Sequence, residues 1–362
     1  MPTLIDGHLD LAWNAIFYDR DLTLPLTQLN AVEADMEDGR FRGRATVSLP
    51  ELRQADCRIV IATLLARSGR QVTPSKAYRR VDLDYRTPLA CHAAATAQLD
   101  WYRQMERLGE MTMLRSRAEL DAHWDQCRRG GGESVGPVGM VLSMEGADPI
   151  LGADELADWV SAGLRLIGPA HYGFSRYAAG TGVDGPLTDA GRELLAAMGR
   201  LGVGLDVTHL SDSSMAEALE RFDGPVLASH HNCRTLVPGD RQLTDGQIEQ
   251  LVGRDAVIGM ALDAWMLYPG WVRGQTLPEV VGLEAVVDHV DHICQLAGSA
   301  RHVAIGSDLD GGFGHEQTPR DVRAISDLQR LSGKLADRGY SDADIDGIYH
   351  GNWLRFLRRL LT

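Results

Sequence analysis

A histidine and an aspartate two residues apart, His8 and Asp10, close a short apolar run, Leu4-Ile5-Asp6-Gly7-His8-Leu9-Asp10. On an extended segment, side chains two apart share a side. One imidazole and one carboxylate therefore aim at a single point, and both suit zinc and similar divalent metals. The triplet alone reads more readily as a surface histidine beside a capping aspartate. It gains weight because other strand-like runs end in ligand-type residues too. Val138–Ser143 leads into Met144-Glu145-Gly146, and Leu164–Pro169 leads to His171. Val203–Val207 leads into Thr208-His209, Pro225–Ala228 into Ser229-His230-His231, and His302–Gly306 into Ser307-Asp308-Leu309-Asp310. Singly, each has an ordinary explanation. A lone histidine after a strand is more often a hydrogen-bonded loop residue, Glu145 before a glycine can cap a helix, and Asp308 and Asp310 suit a turn or a small Ca²⁺ loop. Chance would scatter such residues over the surface, whereas here they gather at strand ends.

The residue types specify a chemistry. Two divalent ions about 3.5–4 Å apart activate a shared hydroxide and polarise a carbonyl, with a carboxylate such as Glu145 between them. On that plan His8, Asp10 and Glu145 serve one Zn²⁺, and Glu145, His209 and His230 the other. Asp308 is left free as the proton carrier, general base to the water and general acid to the leaving amine. His171 is suited to hydrogen-bond the oxyanion. His231 competes with His230; His230 is preferred because it follows its strand directly and leaves its neighbour facing the other side. His289 and His292 lie three apart on a predicted helix and suit a solvated face better than a metal. His92, His123, His302, His315 and His350 receive no role.

The elements that must position these groups follow from apolar patterning. Eight segments read as strands: Thr3–Ile5, Cys57–Leu65, Val138–Ser143, Leu164–Pro169, Val203–Val207, Pro225–Ala228, Ala256–Leu262 and His302–Gly306. Several are apolar almost throughout, as parallel strands covered on both faces are. Helical patterns alternate with them: Thr87–Leu108, Ser116–Arg129, Asp154–Ser161, Thr188–Leu201, Ser211–Arg221, Thr244–Val252, Pro278–Ala297, Pro319–Arg338 and Asp342–Leu361. Strand–helix alternation predicts an α/β fold, and eight strands in 362 residues predict a (β/α)8 TIM barrel in one domain, residues 1–362, with the site at the C-terminal strand ends. No Gly-x-Gly-x-x-Gly opens the first helix, which counts against a dinucleotide fold. Arg20–Ala55 reads as an irregular insertion over the barrel mouth, and Gly130-Gly131-Gly132 as a surface turn.

The formal net charge of −14 opposes binding to nucleic acid or an anionic membrane, both of which want clustered positive charge. The N-terminus has no signal-peptide pattern, and no run approaches the ~20 apolar residues of a spanning helix. Five scattered cysteines without a Cys-x-x-Cys fit free thiols in a reducing cytoplasm.

The motifs together resemble the membrane (renal) dipeptidase family of zinc metallopeptidases, a branch of the amidohydrolase-like barrels. The matching stretches are Asp6–Asp10, Ser143–Gly146, Pro186–Leu195, Leu201–Asp212, Pro225–His230, Asn232–Arg234, Arg241–Asp245, Ile305–Gly311 and Gly351–Arg355, in family order across nearly the whole chain. The run from Leu187 to Arg241 is the most specific. The resemblance implies two Zn²⁺ per chain with the roles given above, a dipeptide-like substrate and a homodimer. It also implies that Arg241 pairs with the substrate's C-terminal carboxylate, a contact that suits a guanidinium. Four stretches depart from the family. Leu9 stands where relatives usually carry Asn, and the segment after His171 lacks the usual Asn-rich look. Asp263-Ala-Trp-Met-Leu267 replaces an Asn-Phe-Tyr-like run, and the second strand lacks a Gln-Phe-Trp element. The metal shell is intact and the substrate-facing surroundings are altered. The expectation is a soluble dipeptidase, extending to dipeptides with a C-terminal D-residue. The alternatives are a binuclear amidohydrolase acting on N-acyl amino acids, lactams or lactones, and a metal-binding barrel without turnover.

Overall fold

The computed structural model describes residues 2–68, 84–129 and 136–362, so the predicted turn at Gly130-Gly131-Gly132 lies outside the described residues. Each of the eight predicted strands is present: β1 Leu4–Leu9, β2 Cys57–Leu65, β3 Val138–Glu145, β4 Leu164–Gly168, β5 Gly204–Asp206, β6 Val226–Leu227, β7 Ile258–Met260 and β8 Val303–Ile305. β1 to β6 pair in chain order, every pair parallel, and curl into a half-barrel. β7 pairs with β8 in a separate two-stranded ladder, which a single bridge, Ala228 to Ile258, joins to the end of β6. No backbone ladder links β8 to β1 among the described residues. There the contact is made by side chains. Asp6 Oδ1 accepts the Ser307 N–H at 2.9 Å, and Trp353 donates Nε1–H to the Ile305 carbonyl at 2.7 Å while its ring packs on Gly7.

The strands are buried on both faces, and the two-residue period sorts them into two cores. Val60, Ala62 and Leu64 of β2, with Met140, Leu142 and Met144 of β3, join the surrounding helices. Ile59, Ile61, Val141 and Leu166 line the concave face, which the C-terminal helix Asn352–Leu360 plugs with Trp353, Phe356, Leu357 and Leu360.

Helix bounds differ from expectation in three places. Pro278–Val280 is one 3₁₀ turn, and the α-helix proper is Leu283–Ala297; the β-branched pair Val280-Val281 and Gly282 break it. Pro319 opens a turn rather than a helix, with Val322 N–H donating to its carbonyl, and helical structure starts only at Ile325. The closing helix is interrupted by a π-helical turn at Gly347–Gly351. Sequence reading also missed the short strand Met111–Met113, which pairs with the start of β3.

Arg20–Ala55 is less irregular than its composition predicts. It carries helices Leu26–Val32 and Leu49–Gln54, the latter capped by Ser48 Oγ on the Glu51 N–H with Pro50 in its first turn. Buried Asp310 fixes this segment over the strand ends. Its carboxylate accepts the Thr46 N–H (2.9 Å), the Val47 N–H (3.0 Å) and the Thr46 hydroxyl (2.8 Å), and lies 3.6 Å from Arg20, whose guanidinium also binds Glu33 and Asn14. Asp310→Ala orphans two buried amides and removes one of the two carboxylates beside the buried Arg20 guanidinium, so thermal melting should show a loss on the order of 3 kcal/mol. An unchanged melting temperature would mean the segment is held elsewhere.

Candidate metal centre and active site

Several of the predicted ligands reach the centre through a local device. In β1, Ile5 and Gly7 face inward, and continued alternation would then turn Leu9 inward instead of His8 and Asp10. The register shifts between Asp6 and Leu9, with Asp6 Oδ1 accepting the His8 N–H at 3.0 Å. This bulge turns His8 and Asp10 to the concave side. Asp10 is pinned there by the Thr63 hydroxyl of β2. Glu145 needs no device, since it continues the inward register of Val141 and Ser143. After β5, Asp206 Oδ1 accepts the Thr208 N–H (3.0 Å) and the Ser229 N–H (3.1 Å), tying two strand ends together as Asp6 does. His209 and Asp308 both stand in the left-handed region, φ 68° and 57°, where non-glycine residues are uncommon and sites concentrate strain. The Ser229 carbonyl lodges between Gly259 and Gly306, where any Cβ would collide with it.

Glu145 lies at the hub. Its Oε1 is 3.2 Å from His209 Nε2 and 3.4 Å from His230 Nε2, and its Oε2 is 3.6 Å from His8 Nε2. Asp10 and Asp308 approach the same His8 nitrogen at 3.8 and 3.9 Å. The ligand atoms form three overlapping sets, each within 4.8 Å: His8, Glu145, His230; Glu145, His171, His209; and His8, Asp10, Asp308. All five predicted ligands are thus brought together, with His171 and Asp308 at the edge of the same cluster. The far ring nitrogens are held by oxygens, which points Nε2 inward. Thr181 Oγ1 is 3.1 Å from His209 Nδ1, and Ser229 Oγ serves both His230 Nδ1 (2.9 Å) and His8 Nδ1 (3.4 Å).

Burial raises the Glu145 pKa, with Asp10 adding to it, and pushes Asp308 well above the carboxylate range. Burial also lowers His209 and His230 far below the imidazole range, and Arg241 reinforces this. His8 goes the other way: burial alone would lower it, but Glu145 and Asp10 outweigh burial and raise it. Buried carboxylates facing His209 and His230, two imidazoles kept neutral, form a donor set suited to divalent metals. His8 Nε2 and Glu145 Oε1 are buried with no hydrogen-bond partner among the described residues, which is the state of atoms reserved for a ligand.

The cluster forms the floor of a cavity of about 480 Å³. Arg241 is buried in its wall, with Nη2 donating to the His230 carbonyl at 3.1 Å and Nη1 without a hydrogen-bond partner among the described residues. The insertion contributes Arg40 and Phe41 to the mouth, beside Tyr18 just ahead of it. The lining residues given no role in the sequence reading include Arg67, Tyr172, Asp263 and Arg273. Burial pushes the Asp263 carboxyl up to about 7, while Gln317 donates to both its oxygens. The altered run Asp263–Leu267 was the available signal for it.

The remaining histidines are structural. His231 does not line the cavity, and its N–H donates to the Gly259 carbonyl. The predicted solvated face is corrected for His289, which is buried and accepts the Cys233 N–H at 3.0 Å; His292 pairs with Asp245 at 2.7 Å. His92, His123, His302 and His350 each contact a backbone carbonyl. All five cysteines are free, and no helix among the described residues is long and apolar enough to cross a membrane.

A curled parallel sheet whose C-terminal ends converge on histidines and carboxylates defines the class of metal-dependent hydrolases. Residues 2–361 match the family model of membrane dipeptidases, peptidase family M19, and the chain belongs to that family. It is 29% identical over 230 residues to an uncharacterised Klebsiella pneumoniae protein of the pqqA 5′ region, covering 61% of this chain and 82% of that one. It is 30% identical over 229 residues to the dipeptidase aclJ of Aspergillus oryzae, covering 62% of this chain; the match spans about half the length of that relative, 52%. Two solved structures share the fold over 99% of both chains. One is a dipeptidase of family M19 at TM-score 0.77 and 24% identity. The other is a Rhodobacter sphaeroides metallopeptidase, liganded with a phosphinate mimic of L-Ala-D-Ala, at TM-score 0.78 and 23% identity.

Proposed function

We propose that this chain is a dipeptidase with two zinc ions per chain, acting as one (β/α)8 barrel domain in the cytoplasm and accepting dipeptides with a C-terminal D-residue. Carrying this reading is the convergence of His8, Asp10, Glu145, His209 and His230 from separate strand ends, with His8 Nε2 and Glu145 Oε1 buried and unpartnered. His8, Asp10 and Glu145 would hold one ion, and Glu145, His209 and His230 the other. Such ions supply a water of lowered pKa and polarise the scissile carbonyl.

The protein's own groups do the rest. Arg241 Nη1, a buried donor with no hydrogen-bond partner among the described residues, takes the substrate's C-terminal carboxylate. That contact fixes the amide over the cluster, where orientation alone lowers the barrier. Asp308, in its strained backbone at the cavity floor, accepts a proton from the attacking water and returns it to the departing amine. His171 donates Nε2–H to the carbonyl oxygen as that atom gains charge.

Metal analysis and a substrate panel test this. Metal-replete protein should hold two zinc ions per chain, lose activity on chelation and prefer dipeptides to N-acyl amino acids. Preference for N-acyl amino acids, lactams or lactones would support the amidohydrolase alternative. Metal bound with no turnover on either panel would leave a binding protein. Arg241→Ala should raise KM about 10²-fold for substrates with a free carboxylate, and little for their amidated forms. A KM that stays level would dismiss the carboxylate pocket.

A further inference from the structure

We infer that Arg67, held by Asp84, is a positioning residue that sets the tautomer of His171 and keeps that ring out of the metal's ligand set; this rests on the hydrolase reading above. Three of the four imidazoles at the centre have an oxygen beside Nδ1: Ser229 Oγ for His8 and His230, Thr181 Oγ1 for His209. A hydroxyl oxygen can accept, so each of these rings can carry its proton on Nδ1 and offer Nε2 as a lone pair. Ser229 can accept from both of its rings because its own proton goes to Thr208 Oγ1, 3.2 Å away.

His171 is different. Its Nδ1 faces Arg67 Nη1 at 3.3 Å. A guanidinium has donors only and stays protonated. Nδ1 must therefore accept, and the ring proton sits on Nε2. That nitrogen faces Glu145 Oε1 at 3.9 Å, on the side where substrate and metal would sit. An N–H there can donate to a carbonyl oxygen and cannot ligate a cation. Spacing alone leaves His171 as eligible a ligand as His209, since both fall in one set with Glu145. The guanidinium decides between them.

Arg67 is itself built in. Its Nε donates to Asp84 Oδ1 at 2.8 Å, and Arg67–Ser68 pairs with Asp84–Tyr85 as a short parallel ladder. The next residue is tied, through the loop after β3, to the segment that follows His171. Ser68 N–H donates to Asp148 Oδ2, whose other oxygen accepts the Arg176 N–H. Arg67 thus reaches His171 from a fixed base, just past the end of β2, where this sequence departs from its family.

The test uses metal-replete full-length protein labelled with ¹⁵N-histidine, the His171 signals being identified by their absence in His171→Ala. Two-bond ¹H–¹⁵N correlations should show His171 as the Nε2–H form in wild type and in Arg67→Lys, which keeps a donor at Nδ1, and a shift toward Nδ1–H in Arg67→Ala. An Nδ1–H form in wild type overturns the proposal, and this arm needs no turnover, so it separates a failed positioning role from a failed dipeptidase reading. With a dipeptide substrate, Arg67→Ala should lower kcat about 10²-fold, with KM changed less than about twofold and two metals retained. In a His171→Ala background the same change should cost nothing further. An equal loss in both backgrounds, or a loss confined to KM, overturns it.

Discussion

Glu145→Gln should empty the centre: metal content falls from two ions per chain to one or none, and kcat/KM drops by at least about 10³-fold. Glu145 reaches both halves of the cluster, Oε2 toward His8 at 3.6 Å and Oε1 toward His209 and His230 at 3.2 and 3.4 Å. Glutamine keeps the shape but loses the charge, and it presents a donor where one oxygen must accept. The fold should survive, because Glu145 makes no hydrogen bond that a helix or strand depends on, and removing a carboxylate relieves crowding with Asp10 and Asp308. Elemental analysis beside a thermal melt checks this. Full metal content with full activity would remove Glu145 from the hub and the two-ion arrangement with it.

Asp308→Asn should give the opposite pattern. Metal content stays at two, and kcat falls about 10²- to 10⁴-fold, the range expected for losing a general acid–base group. Asparagine is close in size and tolerates the left-handed backbone that Asp308 adopts, so neither packing nor strain changes much. What disappears is the capacity to accept and return a proton. The geometry makes the measurement decisive, because Asp308 lies as near His8 as Asp10 does, 3.9 against 3.8 Å. If metal content drops with activity, Asp308 is a ligand rather than a proton carrier.

How far the sequence could be read divides along physical lines. The eight strands were legible because burial on both faces makes them apolar throughout. Glu145 was legible because it simply extends an inward register. His8 and Asp10 were placed on one side correctly, yet the bulge that allows it was invisible, since it depends on the Asp6 carboxylate meeting two backbone amides brought together only by folding. His209 and Asp308 gave their types and positions but not their left-handed backbone. Arg67 was missed altogether, because nothing local marks an arginine whose partner lies 104 residues away. Likewise Asp310 read as a turn residue, and its grip on Thr46 and Val47 spans more than 260 positions. Irregular composition hid the short helices of the insertion, which rest on a cap and on tertiary contacts rather than on length.

The left-handed backbone at Asp308 has an evolutionary consequence. Few residues are at ease there, and asparagine, reached from aspartate by a single nucleotide change, is among them. On the proposed roles, one mutation would silence the enzyme while leaving a well-folded, metal-loaded shell for drift or a new role to work on. Duplicated copies of such a gene have a short road to becoming binding proteins.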